Sequence, residues 1–427
     1  MKKIFLSILT LVSLTSFAQC FKTISPGLWH TVGIMHNNTM WAWGGDNFEA
    51  LGNIHTGGPS NIPVPVHTGL SEWKYAFGGY LNNIAIKTDG SIHGWGGNVG
   101  GPLFPPTGVP YESVTFPTLI DDGQWNSVGV STFSTGIKEN GTLWAWGVGN
   151  PITAGNTTVY TPTQIGSDTD WETTIPGPNV LYALKTDGTL WRSDFNNPSL
   201  AKIGDDTWMM ITSDYGIKSD GSLWNINPTD GLTQIGTDTN WTFISNRHYN
   251  QHRFAIKNDG TLWAWGRNDE GQLGNGTTSH VPINDPIQVG TETNWIWASP
   301  GAFFSFGKKA DGTFWAWGHN GHGFLGLGDN VPRTIPTYMS CEGLSTDDIS
   351  LESKITLLPN PVQESLIIEV SNELNINKAR IYDIRGTLIL EDSHNPLDID
   401  VHNLSSGMYL LTLYFDNRIV QKKFIKK

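Results

Sequence analysis

The sequence predicts an all-β protein: a seven-bladed β-propeller followed by a small Ig-like β-sandwich. Three observations carry that reading. A phrase seen in full as "NDGTLWAWG" at 258–266 returns in variant form along most of the chain. Charged residues make up only 15%, while 49 Gly, 23 Pro and 19 Trp stand among 427 residues, a balance that favours strands and turns over helices. Near Lys354 the phrase stops, and alternating runs richer in Ile, Leu and Lys replace it.

The leading segment, "MKKIFLSILTLVSLTSFAQ", joins two lysines, an apolar run and small residues. It reads as a secretory signal peptide over residues 1–18. A lipoprotein anchor on Cys20 fits less well, because Gln19 is not the small residue expected before it. The apolar run is too short to span a bilayer, and no second one appears, so no transmembrane helix is expected. The net charge of −13 becomes −15 without Lys2 and Lys3. That excess argues against nucleic acid or an anionic membrane as partner, since both need a basic face. From Lys354 onward nine basic and nine acidic residues balance, so the acid excess lies ahead of it.

The repeat organises residues 19–345. Seven copies align on Asn37-Asn38, Asp89-Gly90, Asn140-Gly141, Asp187-Gly188, Asp220-Gly221, Asp259-Gly260 and Asp311-Gly312, at steps of 52, 51, 47, 33, 39 and 52 residues. An Asp-Gly or Asn-Gly pair between apolar runs predicts a hairpin with a type I′ turn. A Trp-led strand precedes six of the hairpins, as in "NWIWASP" at Trp295; the first copy, "FKTISPG", lacks the Trp. In the longer copies a Gly-rich loop and an extended Pro-containing strand follow. A unit of this size cannot bury both faces alone, and radial repetition solves that. Closing the ring brings "CFKTISPG" to "TIPTYMSCEG", so a Cys20–Cys341 disulfide is expected in an exported chain.

The phrase "GTLWAWGRNDEGQLGNGT" at 260–277, with "GLWHTVGI" at 27–34 and His252 in "QHRFAIK", resembles the repeat of the regulator of chromosome condensation family. The resemblance weakens at blade 2 ("SIHGWGGN") and degenerates at blades 4 ("TLWRSD") and 5 ("SLWNIN"), which lose the second Trp and the Gly-rich loop. It implies the propeller fold. Guanine-nucleotide exchange, known in that family, is not carried over to an exported acidic chain, because fold alone does not give function. After a linker at 346–353, residues 354–427 resemble the type A sorting domain of the type IX secretion system. The resemblance rests on "LPNP" at 358–361, "ARIYDIRG" at 379–386, "LSSGMYLLTL" at 404–413 and the basic end "KKFIKK". It implies export by that machinery to the cell surface or beyond.

Recurring Trp such as Trp263 and Trp265 are expected to pack blade on blade. Off-pattern aromatics Tyr80, Phe104, Tyr111 and Tyr249 are the better contact residues. His319 and His322 in "GHNGHG" show no third ligand, and no metal or cofactor is expected. "GSDTDW", "GTDTNW" and "GTETNW" lack a full calcium loop and read as turn formers. "NRHYNQHR" at 246–253 is the basic cluster of an acidic propeller and supplies Arg247, His248 and Tyr249 as contact residues. Equivalent loop starts supply Asp46, Asn47, Arg267, Asn268, Asp269, Glu270, His319 and Asn320. No nucleophile elbow, zinc-protease helix or phosphate loop is present, so no catalytic residue is named.

The expected function is that of a monomeric, non-enzymatic binding or adhesion module recognising an extracellular protein or glycan. Blades 4 and 5 should leave a low sector beside the long loops of blades 1, 2, 3, 6 and 7, and that asymmetry is where a partner is expected to sit. A polysaccharide-active enzyme, which needs a carboxylate pair across a cleft, and a secreted protein inhibitor are the alternatives.

Overall fold

The computed structural model describes residues 21–52, 59–66, 72–98, 103, 113–131, 133–147, 159–177, 180–194, 197–227, 231–245, 252–340, 355–370, 376–383, 388–394, 396–415 and 419–427. Blade 6 shows how the repeated phrase builds a sheet. Its strands Trp241–Ile244, His252–Lys257, Leu262–Asn268 and Ser279–Gln288 pair antiparallel in that order. The hairpin is not the expected type I′ turn. Gly260 N–H donates to Lys257 O at 2.9 Å and Lys257 N–H to Thr261 O at 3.2 Å. Gly260 alone of the pair has positive φ, 77°. This is a three-residue loop, a type I turn closed by a left-handed glycine.

Asp259 explains the choice. Its Oδ1 accepts from both the N–H and the hydroxyl of Thr261, at 2.9 and 2.7 Å, a local bond that needs no left-handed Asp. Thr261 Oγ1 in turn accepts from Trp263 Nε1 at 2.9 Å. Those Thr261 bonds hold the Asp259 carboxyl below the usual carboxylate range. The order Asp-Gly-Thr-x-Trp is therefore one hydrogen-bonded chain. It recurs through Thr142 to Trp144, Thr189 to Trp191, Ser222 to Trp224, Thr313 to Trp315 and, in blade 1, Thr39 to Trp41. In blade 2 His93 stands in for the Trp and meets Ser91 Oγ at 3.2 Å.

Residues two apart on a strand share a face. Trp263 and Trp265 accordingly both cluster with Ile217 and Leu223 of blade 5, while Ala264 between them joins the seam with blade 7. The second Trp of the phrase binds the preceding blade's loop. Trp317 Nε1 donates to Gln272 O at 2.9 Å, Trp43 to Phe324 O at 3.1 Å and Trp95 to Ala50 O at 3.0 Å. Gly326, at φ 66°, lies under Trp43, and a Cβ there would come within 2.7 Å of the indole nitrogen. Buried histidines cross the same seams: His30 Nε2 meets Asn83 Oδ1 at 2.7 Å and His252 Nε2 meets Ser305 Oγ at 2.9 Å. Burial lowers the His30 pKa to about 4, so it is neutral at physiological pH.

A second repeated device lies at the hairpin end of blades 3 to 7. The lysine closing the second strand sits over two indoles: Lys257 is 4.8 Å from Trp241 and 3.9 Å from Trp263, and Lys309 is 4.9 Å from Trp295 and 3.6 Å from Trp315. A carboxylate neutralises each. Lys185 meets Asp168 at 2.6 Å, Lys257 meets Asp238 at 2.8 Å and Lys309 meets Glu292 at 2.7 Å. The segments read as turn formers, "GSDTDW", "GTDTNW" and "GTETNW", supply these acids.

The first strands of successive blades lie against one another around most of the ring. The ring closes where Phe21–Pro26 of blade 1 meets Trp295–Pro300 and Phe304–Lys309 of blade 7. Phe21 shares one cluster there with Phe304, Phe306, Phe314 and Met339. Cys20 and Cys341 lie outside the described residues. Blades 4 and 5 form a single seven-stranded sheet. One strand, Asn197–Ile211, serves as the outer strand of blade 4 and the inner strand of blade 5. The 33-residue step between their turns leaves no length for a separate connection. Beyond the propeller, Ile355–Leu358, Ser365–Val370 and Asp398–Asp400 form one sheet. Leu388–Asp392, Lys378–Asp383, Gly407–Tyr414 and Ile419–Lys426 form the other. Both contribute to one core around Ile355, Leu366, Ile381, Leu411 and Phe424.

Candidate binding face

Strand register decides which loops share a face. His30 pairs with Gly44, Asn82 with Gly96, His252 with Gly266 and Phe304 with Gly318. The tips joining first to second strands therefore emerge beside the loops that follow the Trp phrase. The Asp-Gly hairpins occupy the opposite face.

The loop starts are stapled. Asp46 Oδ1 accepts from Leu51 N–H at 3.1 Å, Asn98 from Leu103 at 2.9 Å, Asn268 from Leu273 at 3.1 Å and Asn320 from Leu325 at 3.0 Å. Asn268 and Asn320 are fully buried. Their amide groups also donate, Asn268 to Thr277 O at 3.0 Å and Asn320 to Asp329 O at 2.9 Å. These two loop-start residues thus bond within their own loops and present no surface to a ligand. Two glycines tie the loops to the next blade: Gly276 N–H donates to Thr334 O and Gly328 N–H to Asn61 O, each at 2.9 Å.

Asp46 departs from its three asparagine counterparts. Desolvation raises its pKa to about 6, against the opposing bond from Leu51. A carboxyl whose folded pKa lies above its ordinary value is favoured when protonated. Its contribution is fully present below about pH 4 and is lost as pH rises through about 6. Asp46→Asn keeps the acceptor for Leu51 and removes the charge. It is expected to raise the melting temperature at pH 7 and to leave it unchanged at pH 4. A variant that melts at or below the wild-type temperature at pH 7 contradicts this.

The solvent side of the face is made by other groups. Arg267 pairs with Asp269 through two bonds, of 2.7 and 2.5 Å, and stacks 4.9 Å from the Phe303 ring. Glu270 meets His319 Nδ1 at 3.1 Å across the seam between blades 6 and 7. Phe303 contacts Trp29 at 5.4 Å, and Trp29 contacts Phe324 at 5.8 Å. Phe48 and Tyr80 project with 51% and 43% of their surface exposed. Asn47 is exposed beside Phe48. Aromatics of blades 7, 1 and 2 thus share this face, and Arg267 of blade 6 stacks on Phe303. Arg267, Asp269, Glu270 and His319 converge there. Trp29, Phe303 and Phe48 were not singled out by the sequence, although the tips "GLWH" and "GAFF" matched the position of "GYLN", which holds Tyr80. Arg247, His248, Tyr249, Phe104 and Tyr111 lie outside the described residues.

In the low sector Ser193 and Ile226 replace the second Trp. Tyr182 hydroxyl donates to Ile226 O at 2.9 Å, Tyr215 meets Trp265 edge-on at 5.6 Å, and Arg253 pairs with Asp214. A shallow cleft of about 390 Å³ lies in blade 4 between Arg192, Asp194, Pro198 and Lys202. Among the described residues no three His, Cys, Asp or Glu side chains stand together as a metal site. No helix among them is long and apolar enough to cross a membrane.

Residues 259–307 match the family model described as the Regulator of chromosome condensation (RCC1) repeat. Residues 356–427 match the one described as a secretion system C-terminal sorting domain, which directs export to the cell surface or the extracellular space. Among curated proteins, the chain is 33% identical over 92 residues to the ultraviolet-B receptor UVR8 of Arabidopsis thaliana, covering 22% of this chain and 21% of the receptor. It is 25% identical over 249 residues to the mitochondrial RCC1 domain-containing protein RUG3 of the same plant, covering 53% of this chain and 52% of that protein. The matches span less than two thirds of either relative. Among solved structures, Prp20p of Saccharomyces cerevisiae is similar in fold, with a TM-score of 0.60, 14% identity and coverage of 79% of this chain and 90% of that one.

Proposed function

From a chain that joins a propeller of regulator of chromosome condensation repeats to a secretion-system C-terminal sorting domain, we propose an exported binding module. It recognises an extracellular protein or glycan through the loop face. One observation carries the reading: aromatic side chains gather on that face beside an arginine–carboxylate pair. Phe48 and Tyr80 are exposed, Trp29 contacts Phe303, Arg267 pairs with Asp269, and Glu270 meets His319. Exposed aromatic surface bounded by polar groups is what a partner buries on binding. The hairpin face differs: its indoles lie under lysines that pair with carboxylates. It carries the turn acids Asp187, Asp220, Asp259 and Asp311 and the exposed sides of the lysine-pairing carboxylates.

The test is a glycan array and an extracellular-protein pull-down with the full chain and with the variant Phe48→Ala/Tyr80→Ala/Arg267→Ala. A partner captured by the wild type is expected to lose at least about tenfold in affinity, the scale of one or two removed contact residues. The hairpin-face variant Asp187→Ala should bind normally. A partner insensitive to the loop-face changes and lost with Asp187→Ala overturns the assignment.

A further inference from the structure

The outward face of the C-terminal domain is covered at its centre. Tyr382 and Leu410 are direct cross-strand partners. Their chain neighbours Ile381 and Leu411 point into the sandwich core, so Tyr382 and Leu410 point away from it. Yet Tyr382 is 3% exposed and Leu410 9%. Among the described residues, the apolar side chain from outside the domain packed against them is Phe116, from the outer strand Val114–Asp121 of blade 2. The apolar character continues around this contact: Met408 and Ile425, paired on the same face as Leu410, are about half exposed, as is Leu119 of the blade 2 strand. Pro117, next to Phe116, has no N–H to give a joining strand, so the contact is made by side chains rather than by sheet extension. The balanced charge of the C-terminal domain suits a seat on a propeller that carries the whole acid excess.

We propose that the C-terminal domain docks on blade 2, with Phe116 seated on the Tyr382–Leu410 pair, and that separating the two bares an apolar patch on both. The occupant is this chain's own C-terminal domain. Small-angle X-ray scattering of the full chain tests it. The wild type is expected to give a compact particle with a radius of gyration near ~22 Å. Phe116→Arg, and independently Leu410→Arg on the other partner, should raise that radius by several ångströms while keeping the wild-type far-ultraviolet circular dichroism. An extended two-lobed profile for the wild type overturns the docking. So does an unchanged radius in whichever variant keeps its fold.

Discussion

Trp317→Ala is expected to cost about 3–5 kcal/mol of folding stability, the range for deleting a large buried aromatic. Trp317 has no exposed surface. Its ring packs 5.4 Å from Phe254 and 6.1 Å from Trp295, which places it between blades 6 and 7. Deleting it opens a cavity where Gly274, which has no side chain, approaches the indole. The loss has a polar part as well. Gln272 O accepts from both Trp317 Nε1 and Ser305 Oγ, at 2.9 and 2.8 Å. Trp317→Phe keeps most of the ring and removes one of those bonds, so it should cost only about 1 kcal/mol beyond the small loss of volume. Urea unfolding followed by circular dichroism separates the two variants. A Trp317→Ala loss under about 1 kcal/mol would mean that the seam is not held by this residue.

The second large effect is expected at the ring closure. Phe21 and Met339, one residue after Cys20 and two before Cys341, lie buried in one cluster. We propose that the two cysteines are bridged. The bridge would close a loop of more than 300 residues in the unfolded chain. Chain-entropy reasoning puts the upper limit at ~6 kcal/mol, and removing a native disulfide costs about 2–5 kcal/mol. Cys341→Ser should lower the unfolding free energy by about 2–5 kcal/mol, and reductant should destabilise the wild type but not the variant. A non-reducing peptide map should show the peptides of Cys20 and Cys341 linked. Two free thiols in the map, or a wild type indifferent to reductant, would remove the bridge from the account.

Much of this fold was written locally and repeatedly, so it could be read from one chain. The seven turns, the Trp-led inner strands and the break near Lys354 depend on neighbours in sequence. What escaped reading depends on partners far along the chain. The turn type followed from Asp259 bonding forward to Thr261, a competition that the Asp-Gly pair alone does not reveal. Asn268 and Asn320 looked like loop-surface residues because they are polar and lie among glycines. Only the bond to a leucine five residues on, and the seam above it, shows them to be staples. The same five-residue spacing occurs at Asp46, Asn98, Asn268 and Asn320, and that regularity was the signal available for finding the staple. Trp29 and Phe303 were hidden for the opposite reason. Each tip adds a single aromatic to the face, and the group exists only once blades 7, 1 and 2 stand side by side. The continuous strand of blades 4 and 5 was foreshadowed by their short step but not by any residue type.

The central claim is that the Trp-Ala-Trp-Gly phrase is scaffold and that the loop face makes the contacts. Hydroxyl-radical footprinting of the full chain, read by mass spectrometry with and without a captured partner, addresses it most directly. The account predicts that Trp43, Trp95, Trp146, Trp265 and Trp317, all buried, stay unlabelled in both states, while Phe48 and Tyr80 label freely and become protected on binding. Labelling of the phrase tryptophans in the free protein, with protection by the partner, would contradict it.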